Sequence, residues 1–249
     1  MRLPNWSLLL VLLFALAACD DDEPTDTVAL SLSSRAVVSA ARADGDVMIT
    51  RARMILEEVE LETDDDDDSP SRSDDPDEPD DSDDGIEFET GPILLELALD
   101  GSVNEVFVSN VPAGIYDEIE FEVDKLDDDE PEDFEALNDP QFADFVGDER
   151  YSVILEGTVE DGGIAEEFTF RSDLSAEQEY DLIPPMVLEG EDSDANVTLV
   201  IDVTMWFSDG SGGALDPRDP GDAERIEANI IASIEVFEDH DEDGEDDDD

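Results

Sequence analysis

The chain has 249 residues, 76 of them acidic and 11 basic, for a formal net charge of −65. Such a charge excludes nucleic acid as a partner, because the phosphates repel it. The lone cysteine, Cys19, and lone histidine, His240, exclude disulfides, Cys/His zinc sites and Ser-His-Asp chemistry. A hydrophobic content of 39% is too high for a wholly disordered acidic chain. The charge therefore reads as adaptation to a salty exterior, where at about 1 M salt the screening length falls to about 3 Å.

The chain opens with Arg2 and an apolar run from Trp6 to Ala15, followed by small residues. This is the order of a secretory signal, and the run is too short for a span of about 20 residues. Cleavage after Ala18 would suit an ordinary signal. Leu16-Ala17-Ala18-Cys19 also closely resembles the lipobox of bacterial lipoproteins. That resemblance implies cleavage before Cys19, lipidation of its sulfur and amino terminus, and tethering to a membrane by the acyl chains. Asp20-Asp21-Asp22-Glu23 resembles the acidic export signal of Bacteroidetes-type surface lipoproteins. Two other readings stand beside it: retention in the inner membrane by an aspartate after the cysteine, and plain acidic composition. The cell surface is the favoured reading, with the periplasmic face of either membrane as the alternative.

The expected organisation is a signal peptide at 1–18, a lipidated acidic tether at 19–26, one β-sandwich domain at 27–237 and an acidic tail at 238–249. An acidic loop at 63–85 interrupts the domain; residues 63–84 are Asp, Glu, Ser, Pro, one Thr and one Arg, with no apolar side chain to drive order. Strands are expected at Val28–Leu32, Val47–Leu61 (bulged or helical near Arg51–Met54), Ile86–Glu89, Ile93–Leu99 and, after the Asp100-Gly101 turn, Val103–Val108. Val111-Pro112-Ala113-Gly114 is another turn signal. Beyond it Ile115, Ile119, Phe121 and Val123 alternate with acids for a half-buried strand.

Phe134–Val146, broken by Pro140, reads as short turns. Tyr151–Val159 turns back at Asp161-Gly162-Gly163 into Phe168 and Phe170, and Tyr180–Ile183 and Val187-Leu188 flank Pro184-Pro185. Val197, Leu199, Ile201, Val203, Met205 and Phe207 alternate most cleanly. Asp219-Pro220 reads as a helix start, with Ile226, Ile230, Ile231, Ile234 and Phe237 at helical spacing. The fold class is mainly β: an antiparallel β-sandwich, immunoglobulin-like or transthyretin-like, with one C-terminal amphipathic helix packed on it.

Several stretches together resemble a group of bacterial, Bacteroidetes-type lipoproteins with a β-sandwich domain of no assigned activity. They are Val47-Met-Ile-Thr-Arg-Ala-Arg with Val59-Glu-Leu, and Val111-Pro-Ala-Gly-Ile-Tyr with Ile119-Glu-Phe. Met205-Trp-Phe, Leu215-Asp-Pro, Ile226-Glu-Ala-Asn-Ile-Ile-Ala-Ser-Ile and Asp241-Glu-Asp-Gly complete the set. The resemblance implies an exported, membrane-tethered domain and supplies no catalytic residue.

The candidate metal site is the start of a calcium loop. Asp239, Asp241 and Asp243 take positions 1, 3 and 5, Gly244 position 6, Glu245 offers its carbonyl at 7, and Asp247 stands at 9. Position 12 would fall one residue past Asp249. The other reading is a solvated acidic tail, the commoner use of such runs. Paired carboxylates for glycosidase chemistry carry no information in so acidic a chain. Asn196-Val-Thr is a glycosylation sequon, Trp206-Phe207 either a sugar platform or strand core, and Gly210-Ser-Gly-Gly a loop without a phosphate-binding lysine. The expected function is a non-enzymatic, membrane-anchored envelope lipoprotein of a salt-adapted bacterium, with a structural, adhesion or ligand-capture role. The alternative is a calcium-dependent extracellular binding module, and the third reading a carboxylate-based hydrolase.

Overall fold

A computed structural model describes residues 27–38, 47–63, 88–131, 133–188, 194–239, 241 and 243–245. Cys19, the tether, all of the acidic loop but Thr63, Ile86 and Asp247 lie outside them. The fold is a mainly β sandwich of three four-stranded sheets. Sheet 1 has the order β12 (Ile234–Glu238), β11 (Asp194–Asp202), β1 (Thr27–Val37), β6 (Val103–Pro112). Sheet 2 runs β5 (Ile93–Glu96), β2 (Val47–Leu56), β8 (Val153–Asp161), β9 (Ile164–Ser172). Sheet 3 runs β10 (Ala176–Leu188), β7 (Gly114–Val123), β3 (Glu58–Glu62), β4 (Phe88–Glu89).

Two chain segments tie the sheets together. The expected Val47–Leu61 strand is extended throughout but breaks at Glu57, leaving sheet 2 as β2 and entering sheet 3 as β3. Its middle is not helical; a register shift between Ile49 and Arg51 supplies the bulge. The Val111–Gly114 turn is not a hairpin but a corner, carrying the chain from β6 in sheet 1 to β7 in sheet 3. Tyr116 closes that corner: its hydroxyl donates to the Pro112 carbonyl at 2.9 Å, and burial pushes the phenol up to about 12. One apolar cluster then takes side chains from all three sheets, among them Leu30, Leu32, Met54, Leu155, Leu61 and Phe121.

The short turns at 133–145 are present as α1 (Asp133–Ala136) and a 3₁₀ turn at Pro140–Phe142. They close a second, smaller core of Ile55, Leu126, Phe142, Phe145 and Ile154. Arg53, 3% exposed, borders it; its guanidinium reaches Asp144 at 2.7 Å and lies over the Phe145 ring. The Gly162-Gly163 turn joins β8 to β9 with both glycines at positive φ, the two-residue hairpin that the twist of the strands favours.

Four expectations change. The first strand runs to Val37, and β1 pairs with β11 in parallel, the exception in an otherwise antiparallel set. The Tyr180–Ile183 and Val187–Leu188 pieces are one strand, β10, with a bulge between Asp181 and Met186. The alternating run ends at Asp202; Val203–Met205 form a 3₁₀ turn that leaves Met205 49% exposed. The helix α2 (Ala223–Ile231) starts after Asp222, not Asp219, and stops before Ile234, which begins β12. The backbone closes at Ala232, whose N–H bonds back into the helix, so the isoleucine stripe continues on a strand that pairs with β11.

Gly157 marks the tightest backbone approach. A Cβ there would lie 2.1 Å from the Met48 carbonyl and 2.7 Å from the Phe168 ring. Gly157→Ala is expected to destabilise the domain by about 1–3 kcal/mol, as overpacking does, read as a lowered melting temperature in high salt. An unchanged melting temperature would contradict this packing.

Candidate cation-binding sites

Three groups of carboxylates stand out, each built differently. The first is the C-terminal loop. Its position-1 residue, Asp239, is fully buried, while Asp241, Asp243 and Glu245 are exposed. Oxygens of Asp239, Asp241 and Asp243 lie within 4.8 Å of one another. The loop folds around Asp239: one of its oxygens accepts the Asp243 N–H at 3.2 Å, the other the Gly244 N–H at 2.9 Å. Gly244 turns at φ 75°, packed so closely on Arg35 and Val103 that a side chain would collide with both. Arg35 donates to the Gly244 carbonyl at 2.8 Å and lies 3.8 Å from Glu245.

The residues that seat this loop carried no sign of that role in the sequence. The Ser31 and Ser33 hydroxyls both donate to the Asn196 side-chain oxygen at 2.9 Å. The Asn196 amide donates to the Thr198 hydroxyl at 3.0 Å, and Thr198 donates to Asp239 at 2.8 Å. All four bonds point the same way, so each polarises the next toward the Asp239 carboxylate. Asn196 is only 4% exposed, which closes the sequon to modification in the folded domain. Trp206 and Phe207 are likewise fully buried, with the indole N–H on Ser233 at 2.8 Å, so they are core and not a sugar platform.

The second group sits where β2 becomes β3. Glu57 is 8% exposed, its N–H held by the Glu122 carbonyl at 2.8 Å. Asp133, the first residue of α1, is fully buried and accepts the Asp127 N–H. Oxygens of Glu57, Glu130 and Asp133 fall within 4.8 Å, as do those of Glu57, Glu58 and Glu122. Burial first, then the charges of Asp133, Glu122 and Glu130, pushes Glu57 up to about 8. A recess of about 90 Å³ opens beside it, lined by Glu57, Glu122, Asp124, Lys125, Asp127 and Glu130. That is well below the roughly 300–1,000 Å³ of small-molecule pockets. A wider groove of about 580 Å³ shares Lys125 and Asp127 but is lined by neither Glu57 nor Asp133.

The third group is the outer face of sheet 3. Val59, Leu61, Ile119, Phe121 and Val123 point into the core, so the alternate residues face out. Register then places Glu58, Glu122 and Glu177 in one row, Glu60, Glu120 and Glu179 in the next, and Glu62, Glu118 and Asp181 in a third. Glu89 extends the middle row. No strand of the sheet contains a lysine or arginine. Cross-strand Cβ atoms sit about 4.5–5.5 Å apart, and like charges so placed destabilise a sheet. On the central strand, burial and then neighbouring acids raise Glu118, Glu120 and Glu122 above the usual carboxylate range. Oxygens of Glu60, Glu62 and Glu120 converge within 4.8 Å. The signal was present as Glu-x-Glu alternation in β3, β7 and β10, but pairing these strands into rows needs the fold.

No family model, curated protein or solved structure matches the chain. The lipoprotein resemblance therefore stands on the residues that carry it. No described helix is long and apolar enough to cross a membrane.

Glu57 gives a signed pH dependence. Between the ordinary carboxyl value of 4.5 and about 8, the folded chain keeps a proton there that the unfolded chain has released. Stability from this group is complete below that interval and falls as pH rises through it. Glu57→Gln mimics the protonated form, so at constant high salt the variant should melt several degrees above wild type at pH 8 and close to it at pH 4.5. Parallel melting curves across that range would show that Glu57 ionises freely in the fold.

Proposed function

We propose that this protein is a non-enzymatic, membrane-anchored envelope lipoprotein of a salt-adapted bacterium, and that it captures cations or a cationic ligand on the carboxylate face of sheet 3. The supporting observation is the three-row carboxylate array held in register with no basic residue among its strands. Such a face lowers its own repulsion by gathering positive charge, and a fixed spacing favours multivalent cations over sodium. Anchoring follows from the lipobox-like Leu16-Ala17-Ala18-Cys19 at the end of a short apolar run. The outer membrane, facing the exterior, is the proposed location. A hydrolase gains little support, because the recess of about 90 Å³ that buried Glu57 lines is well below the roughly 300–1,000 Å³ of small-molecule pockets.

A second reading, calcium binding by the C-terminal loop, is favoured by the convergence of Asp239, Asp241 and Asp243 around a buried position 1. A bound ion would use the lone pairs of Asp239 that its N–H and hydroxyl partners leave open. With three carboxylates converging among the described residues, the dissociation constant should be weak, on the order of 10⁻⁴ to 10⁻³ M.

Calorimetry with calcium in about 1 M sodium chloride, where diffuse attraction is screened, separates these readings. The array predicts saturable heat that Glu60→Gln with Glu120→Gln and Glu179→Gln removes. The loop predicts heat that Asp241→Ala with Asp243→Ala removes. No saturable heat in wild type would reject both as calcium sites. Anchoring is checked by fatty-acid labelling, which Cys19→Ser should abolish; equal labelling of the two proteins would end the lipoprotein reading.

A further inference from the structure

The outer face of sheet 3 changes character along its length. β7 shifts parity at Asp117-Glu118: Tyr116 points inward before it, Ile119, Phe121 and Val123 after it. Beyond this bulge the outward residues are the carboxylate rows. Before it they are apolar. Ile115, 57% exposed, pairs directly with Val187, 50% exposed. The bulge of the edge strand β10 adds Ile183, 82% exposed, with Pro184 and Pro185. Asp117 follows Ile115 by two residues on β7, and one of its oxygens is shielded from solvent. A contiguous apolar patch on the surface of so acidic a chain is a mark of contact with something apolar.

The position of this patch names its partner. Thr27, the first residue of β1, pairs with Pro112 at the corner from which β7 departs. Ile115 follows Pro112 by three residues, within about 11 Å along the chain. Residues 20–26 separate Cys19 from Thr27, and the path from Cys19 to Thr27 reaches at most about 29 Å when fully extended. An acyl anchor on Cys19 therefore keeps this corner within about 29 Å of the bilayer, while β7 carries the carboxylate rows away from the corner.

Resting on the lipid-anchor reading above, we infer that Ile115, Ile183, Pro184, Pro185 and Val187 form a membrane-docking patch that seats the domain on the lipid surface bearing its anchor. Contact is with the acyl-chain boundary of zwitterionic lipid; anionic headgroups would repel the neighbouring acids. Docking fixes the orientation of the domain, with the carboxylate rows held farther along β7 from the contact.

The test uses the full lipidated protein in phosphatidylcholine vesicles carrying a lipid-borne fluorescence quencher. A thiol-reactive, polarity-sensitive dye is placed by Val187→Cys and, as control, by Ile164→Cys. Ile164 is 67% exposed at the β8–β9 turn, whose strand β8 pairs near Val47, the end of the β2–β3 run farthest from Glu62. The dye at 187 should shift to the blue and lose most of its emission to the lipid quencher, with little change at 164. With the dye moved to Ile115→Cys, adding Ile183→Glu and Val187→Glu should abolish that quenching while the protein still pellets with vesicles. Vesicle-bound protein whose 187 dye stays in water, or is shielded without lipid quenching as by a second copy, would overturn docking and leave the anchor standing. Protein that fails to pellet would overturn the anchor, and docking with it.

Discussion

Repulsion between carboxylates held in register on sheet 3 is the constraint that the rest of the fold must overcome. Glu60 lies directly opposite Glu120, and Glu120 directly opposite Glu179, at the cross-strand spacing of about 4.5–5.5 Å. These strands stay together because Val59, Leu61, Ile119 and Phe121 on their other face are buried in a core shared by all three sheets. The sheet is thus an apolar adhesive on one side and a charged plate on the other. Its two attachments, the Glu57 junction to sheet 2 and the Val111–Gly114 corner to sheet 1, bear that load. One buries an acid that burial and its neighbours drive toward protonation, and the other is closed by the Tyr116 hydroxyl.

The C-terminal loop solves the opposite problem, burying a carboxylate without a basic partner directly on it. Asp239 sits at the end of a one-way relay from Ser31 and Ser33 through Asn196 and Thr198, and also accepts from two backbone N–H groups. Burying a charge is tolerable only with this degree of hydrogen bonding. The relay joins β1 to β11, the parallel pair, so the first and last parts of the domain are locked together where the tail docks.

Alternation and turn residues made most strands readable in advance: Asp161-Gly162-Gly163, the Val197–Ile201 run and the half-buried 115–123 segment all rest on local chemistry. What could not be read depends on partners far away in the chain. The parallel pairing of β1 with β11 leaves no local trace, and neither does the crossing of β6 and β7 between sheets. Helical spacing overruns the end of α2 because Ile230 and Ile234 are four apart, so the apolar stripe passes unbroken into β12. In the candidate sites, Asp239, Asp241 and Asp243 were visible by spacing, whereas Glu57 and Asp133 became a pair only through packing of α1 on the β2–β3 junction. The carboxylate rows lay in plain view as alternating acids, but their meaning came from register.

The central claim is that this domain closes only where salt, or captured cations, screens its own charge. At about 1 M salt the screening length of about 3 Å is shorter than the spacing between rows, whereas at about 0.01 M it is about 30 Å and the whole face repels itself. The direct measurement is thermal unfolding of residues 27–249 from about 0.01 M to above 1 M potassium chloride at constant pH. The account predicts a melting temperature that climbs steeply with salt and levels off as screening saturates. A melting temperature that stays flat, or falls, would contradict it.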